Sequence, residues 1–91
     1  MKAGDFLTSF YIGRFYEEAE MLDRAVYYYL DALEQQPLHV PSLAHLGGVY
    51  VKEYNVLKAS GYLKRAYNLD PSNANVVDNI GVCYLQLGQL A

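Results

Sequence analysis

The sequence predicts an all-α fold, a stack of α-hairpins, and three observations lead to it. The first is a period: Gly13, Gly47 and Gly81 stand 34 residues apart, as do Tyr16, Tyr50 and Tyr84, and Ile12, Leu46 and Ile80. The same step joins Ala25 to Ala59, Ala32 to Ala66 and Pro37 to Pro71. The second is that apolar residues within each period recur at i, i+3 and i+4, the spacing of a helix with one buried face. The third is punctuation, since each full period closes on a proline that no helix interior accommodates. Self-similarity of this kind marks a repeat array, in which each unit buries its apolar face against the next. It directs the functional expectation toward binding rather than chemistry.

In the first period Phe6, Phe10, Ile12, Gly13 and Tyr16 trace one helix, and Leu22, Ala25, Val26, Tyr29, Ala32 and Leu33 a second. Asp5 is a candidate N-cap for the first. The second must stop before Pro37, which disfavours a helical residue ahead of it. The next period repeats the plan with Leu43, Leu46, Gly47 and Tyr50, then Val56, Ala59, Leu63 and Ala66, and ends on Asp70-Pro71-Ser72-Asn73, a run of turn and cap residues. The third period supplies one helix, about Ala74 to Leu87, with Gly88 as its expected C-terminal stop. Mid-helix glycine costs about 1 kcal/mol relative to alanine, so Gly13 and Gly47 are expected to face Ala25 and Ala59, small against small, at the closest approach of each hairpin. The expected organisation is a single domain, residues 1–91, with repeats at about 6–39 and 40–73 and a partial repeat at 74–91.

Ninety-one residues with a net charge of −3 make one small domain whose surface argues against nucleic acid, which asks for a basic face. Residues 1–39 carry three basic and seven acidic side chains, and residues 40–91 four and three. No apolar run approaches the roughly 20 residues that span a bilayer, so no membrane partner is expected. With no secretory signal pattern and one cysteine, Cys83, a cytoplasmic location is the default, although a signal removed beforehand would leave the same sequence.

At this point the residues resemble the tetratricopeptide repeats, whose 34-residue pattern is W-x2-L-G-x2-Y, then A-x3-F, A and P. The first repeat reads Ser9-x2-Ile12-Gly13-x2-Tyr16, Ala25-x3-Tyr29, Ala32 and Pro37. The second reads Leu43-x2-Leu46-Gly47-x2-Tyr50, Ala59-x3-Leu63, Ala66 and Pro71, and the third Val77-x2-Ile80-Gly81-x2-Tyr84. The departure is at the tryptophan position, where Ser9 is expected to leave the first hairpin loosely packed. The resemblance implies a right-handed superhelical stack of two full repeats plus one helix. Its concave groove would bind a peptide or partner protein, as an adaptor or scaffold without catalysis. Carried across, the groove positions are Leu7, Phe10, Tyr11, Arg14 and Glu18 on the first helix. On the second they are Ala44, His45, Gly48 and Lys52, and on the third Asn75, Asp78, Asn79, Val82 and Gln86. Phe10 and Tyr11 would anchor apolar groups, and Asn79 would hydrogen-bond a peptide backbone. One subset of the family clamps chaperone C-terminal carboxylates with lysine, arginine and asparagine. Phe10, Arg14, His45, Asn75 and Asn79 stand in those places and break that pattern.

No cofactor is expected. His39 and His45 have no carboxylate or cysteine at ligand spacing, so no metal site is expected either. Cys83 reads as a buried small hydrophobe, Glu17 and Glu18 as a solvated helix end, and Tyr29 as the inward member of Tyr27-Tyr28-Tyr29. The alternative function is self-assembly. Helix three keeps Val76, Ile80, Cys83, Tyr84 and Leu87, an apolar set that a following helix would bury, so residues 74–91 are candidates for self-association.

Overall fold

Five helices follow the 34-residue step in the computed structural model, which describes residues 5–90, and only the end of the fifth departs from it. They are α1 (Phe6–Glu18), α2 (Leu22–Gln35), α3 (Val40–Lys52), α4 (Val56–Leu69) and α5 (Ala74–Leu90). Residues 1–4 and 91 of the expected domain lie outside the described residues. Helix α5 runs through Gly88 rather than stopping there. One glycine in a last turn lowers helix propensity without ending the helix.

The caps follow the sequence. Asp5 Oδ1 accepts a hydrogen bond from the Thr8 amide at 2.8 Å, Asn55 Oδ1 from Lys58 at 3.4 Å and Asn73 Oδ1 from Val76 at 3.2 Å. That amide bond holds the exposed Asp5 carboxyl below its usual range. Both turns within the hairpins share one device that the sequence does not announce. Glu20 and Tyr54 adopt φ of 60° and 58°, and the next amides, of Met21 and Asn55, each bond back to Tyr16 and Tyr50 carbonyls at 2.9 Å. This is a Schellman closure made without glycine, and a side chain in the left-handed region costs about 1 kcal/mol. Replacing the exposed Tyr54 by glycine is therefore expected to stabilise the chain by about 0.5–1 kcal/mol, measured as a rise in the urea midpoint. A fall would mean that the tyrosine ring contributes more than its backbone costs.

Contacts fix the layout. Ser9 meets Asp31, Gly13 meets Tyr29 and Tyr16 stacks on Tyr28, so α1 and α2 are antiparallel. The second hairpin repeats this arrangement, with Tyr50 stacked on Tyr62. Across repeats, Phe10 meets His45 and Glu17 meets Lys52, while Gly48 meets Asn79 and Val51 meets Gln86. Helices α1, α3 and α5 therefore lie side by side and parallel in one layer, with α2 and α4 behind them. The core runs between the layers through Tyr29, Leu43, Leu46, Val49, Leu63 and Val76.

Two details differ from expectation. A Cβ on Gly13 would lie 2.7 Å from the Tyr29 ring and one on Gly47 2.6 Å from Leu63, so the glycines face large side chains rather than Ala25 and Ala59. Tyr29 and Leu63 sit one turn beyond those alanines and lean over the glycine backbone, which the absent Cβ makes possible. Ser9, fully buried, donates to Asp31 Oδ2 at 2.5 Å, and Gln35 Nε2 donates to the same oxygen at 3.0 Å. A polar contact closes the first hairpin where Leu43 closes the second by packing.

Candidate functional site

Where α1, α3 and α5 lie side by side, their exposed face forms a hollow of about 210 Å³ lined by Glu17, Ala44, His45, Gly48, Lys52 and Asn79, with Val51 and Asn75 beside them. Gly48 borders Asn79 across it: a Cβ at position 48 would stand 3.4 Å from the Asn79 amide, an ordinary contact. Asn79 is held against α5 by its own Nδ2, which donates to the Asn75 carbonyl at 3.1 Å.

Glu17 is the electrostatic centre of this face. Its Oε1 accepts from the Tyr29 hydroxyl at 2.5 Å and lies 3.2 Å from His45 Nδ1, while Lys52 Nζ is 3.5 Å from Oε2. The side chain is only 16% exposed, so Glu17 is no solvated helix end. Burial alone would raise its pKa. Hydrogen bonds from His45 and Tyr29 and the charges of His45 and Lys52 outweigh that effect and hold the carboxyl below its usual range. Burial first, and the Glu17 carboxylate second, push the Tyr29 phenol far above its ordinary value, so it stays a protonated donor. Facing an acceptor that only accepts, His45 presents Nδ1 as N–H.

Of the residues expected along the groove, Ala44, His45, Gly48, Lys52, Asn75 and Asn79 come together in this hollow. Leu7, Tyr11, Asp78 and Val82 are exposed on the same three helices but outside it, and Arg14 is paired with Glu18 at 3.7 Å. Phe10 is 5% exposed and Ala44 2%. The Phe10 ring lies edge-on to both His39 and His45, with centroids at 5.2 and 5.5 Å, so it belongs to the core. It also separates the two histidines. His39 instead sits 2.7 Å from Ser42 Oγ, with its pKa lowered by burial. Gln86 is buried too: its Nε2 donates to the Val51 carbonyl at 3.0 Å and its Oε1 finds no partner among the described residues. Glu17 is the residue that sequence reasoning missed. Its signal lies in the period, because Glu17 occupies the slot that Val51 fills in the next repeat.

A larger apolar hollow of about 710 Å³ lies away from this face, between α4 and α5. Cys83 is buried beside it, and that burial raises its thiol pKa. Among the described residues no helix is long and apolar enough to cross a membrane, and no cluster of three His, Cys, Asp or Glu is placed to hold a metal ion. No protein-family model matches this chain, and no curated protein matches it significantly.

Proposed function

We propose that the chain is a tetratricopeptide-like interaction module that holds a peptide of a partner protein across the α1/α3/α5 face, as an adaptor rather than an enzyme. The observation that carries this reading is the hollow itself. It is floored by Ala44 and Gly48 and walled by the Asn75 and Asn79 amides and His45, while Leu7 and Tyr11 stand exposed on α1. Side-chain amides beside a cleared strip of backbone match the alternating donors and acceptors of a peptide main chain, and flanking aromatic and aliphatic groups take its side chains. The Glu17 charge is already matched by the Lys52 ammonium, so the hollow favours a ligand segment of low net charge. A superhelical groove and a cytoplasmic setting belong to the same reading.

A peptide-display selection tests it, run on the wild type and on the double variant Asn75→Ala with Asn79→Ala. Both changes lie at the surface of α5 and leave the core intact. A consensus enriched on the wild type and lost on the variant is the expected result. No consensus, or one shared by both, would end the groove reading. The second reading, self-assembly, is favoured by one observation, the apolar outer face of α5, with Tyr84 72% and Leu85 68% exposed.

A further inference from the structure

The α4/α5 hollow is the third copy of an interface that the chain builds twice. Tyr16 stacks on Tyr28 with ring centroids 5.7 Å apart and planes at 17°, and Tyr50 on Tyr62 at 5.9 Å and 16°. Gly13 lies under Tyr29 and Gly47 under Leu63. The corresponding residues on α5 are open: a Cβ on Gly81 would meet no described atom within 4 Å, and Tyr84 is 72% exposed where Tyr50 is 7%. In both hairpins the residues at these positions are covered by an antiparallel helix.

The chain specifies its chemistry. Helix α4 closes on α3 with Ala59-x2-Tyr62-Leu63-x2-Ala66, that is, small-x2-Tyr-large-x2-small, and α2 uses Ala25-x2-Tyr28-Tyr29-x2-Ala32. Helix α5 carries the same string, Gly81-x2-Tyr84-Leu85-x2-Gly88. It therefore bears both the surface that receives and the pattern that fills. In the α3/α4 register, Leu63 covers Gly47 and Tyr62 stacks on Tyr50. Transposed to two α5 helices, Leu85 of each copy covers Gly81 of the other, and the two Tyr84 rings stack on each other. These contacts are reciprocal, as an isologous two-fold interface requires. The placement brings no like charges together: α4 carries Lys58, Lys64 and Arg65 and no acid, and the charged side chain of α5 is Asp78. One contact is not reproduced: Ile80 stands where Arg24 and Lys58 lie over the tyrosine rings of the two hairpins.

We propose that the occupant is a second copy of this chain, with the two α5 helices antiparallel about a two-fold axis at Tyr84. This surface lies outside the peptide-binding hollow, so the proposal stands or falls independently of the groove.

Sedimentation equilibrium over a dilution series, combined with site-specific oxidation in a Cys83→Ser background, tests both the state and the register. The expected mass rises toward that of a dimer with concentration. Tyr84→Lys weakens the association on the order of tenfold or more while leaving the helical melt of the dilute chain in place. Tyr84→Cys forms a disulfide with its own copy under mild oxidant. Val77→Cys alone does not, because the register sets it opposite Leu87, and the Val77→Cys, Leu87→Cys pair does. A monomer at every accessible concentration would overturn the proposal, as would a dimer indifferent to Tyr84→Lys or cross-linking efficiently through Val77→Cys alone. A monomer whose α4/α5 hollow binds a synthetic peptide of residues 54–70 would also overturn it and assign the hollow to a foreign helix.

Discussion

Gly47→Ala is expected to lower stability by about 1 kcal/mol net, while Gly81→Ala, the same change one repeat later, raises it by up to about 1 kcal/mol. Both positions gain the same helix propensity on acquiring a methyl group, about 1 kcal/mol. They differ in what the methyl group meets. At Gly47 it falls 2.6 Å from Cγ and Cδ2 of Leu63, a fully buried side chain, whereas carbon atoms in contact sit about 3.5–4.0 Å apart. The clash is with the branch point rather than a free tip, so α3 and α4 must separate and the packing around Leu46 and Leu63 loosens. Overpacking of this kind costs about 1–3 kcal/mol, which exceeds the propensity gain. At Gly81 no described atom lies within 4 Å, and only the gain remains. For a chain of this size each kcal/mol moves the melting temperature by about 4–8 °C. Circular dichroism melts at low protein concentration, where α5 is unpaired, should therefore move in opposite directions. Shifts of the same sign would contradict the packing described for the glycines.

The period made the fold legible because it constrains many positions at once. Helix bounds, the alanines, the tyrosine stacks and the prolines all recur on one step, and none depends on a single marginal propensity. Two things were not legible. Left-handed turns at Glu20 and Tyr54 carry no glycine or asparagine to announce them. They accompany backbone hydrogen bonds from Met21 to Tyr16 and from Asn55 to Tyr50, so the closure of the helix end outweighs side-chain preference. Gly88 gave a false stop, because a glycine marks a helix end only when the chain turns there.

The chemistry of the first hairpin was legible in principle, by reading departures from the period rather than the period itself. Glu17 and Tyr29 both become apolar one repeat on, as Val51 and Leu63. Ser9 and Asp31 change together as well, to Leu43 and Arg65. Each pair is joined in the first repeat, by the Tyr29–Glu17 and Ser9–Asp31 hydrogen bonds. Paired changes at hydrogen-bonded positions are what buried polar groups demand, since one partner without the other is left unsatisfied. The binding positions were less legible. A groove assignment by helical position alone does not tell Phe10, which turns inward between two histidines, from Tyr11, which does not.

Glu17→Ala is expected to cost about 2–3 kcal/mol at neutral pH, because it leaves the buried Tyr29 hydroxyl without its acceptor and removes the charge that faces His45 and Lys52. A double-mutant cycle with Tyr29→Phe should return a coupling of about 1.5–3 kcal/mol, the range for a hydrogen bond to a charged group. Dependence on pH separates this bond from mere packing. The Glu17 carboxyl is held below its ordinary 4.5, so the folded chain favours the ionised form. Its contribution is complete above the unfolded value and is lost as pH falls from about 4.5 through the lower folded one. The Tyr29 phenol is displaced upward from 10.0, so the folded chain favours its protonated form, and that contribution is lost as pH rises above 10.0. Burial raises Tyr50 and Cys83 as well, and Asp5 is lowered, so the informative quantity is the difference between variant and wild type. Stability measured by urea unfolding should show a smaller acid-side loss in Glu17→Gln and a smaller alkaline loss in Tyr29→Phe. The bond needs an ionised carboxyl and a protonated phenol together, which confines its contribution to the pH range between those two limits. Acid and alkaline limbs parallel to the wild type in both variants would mean that this hydrogen bond contributes nothing to the fold.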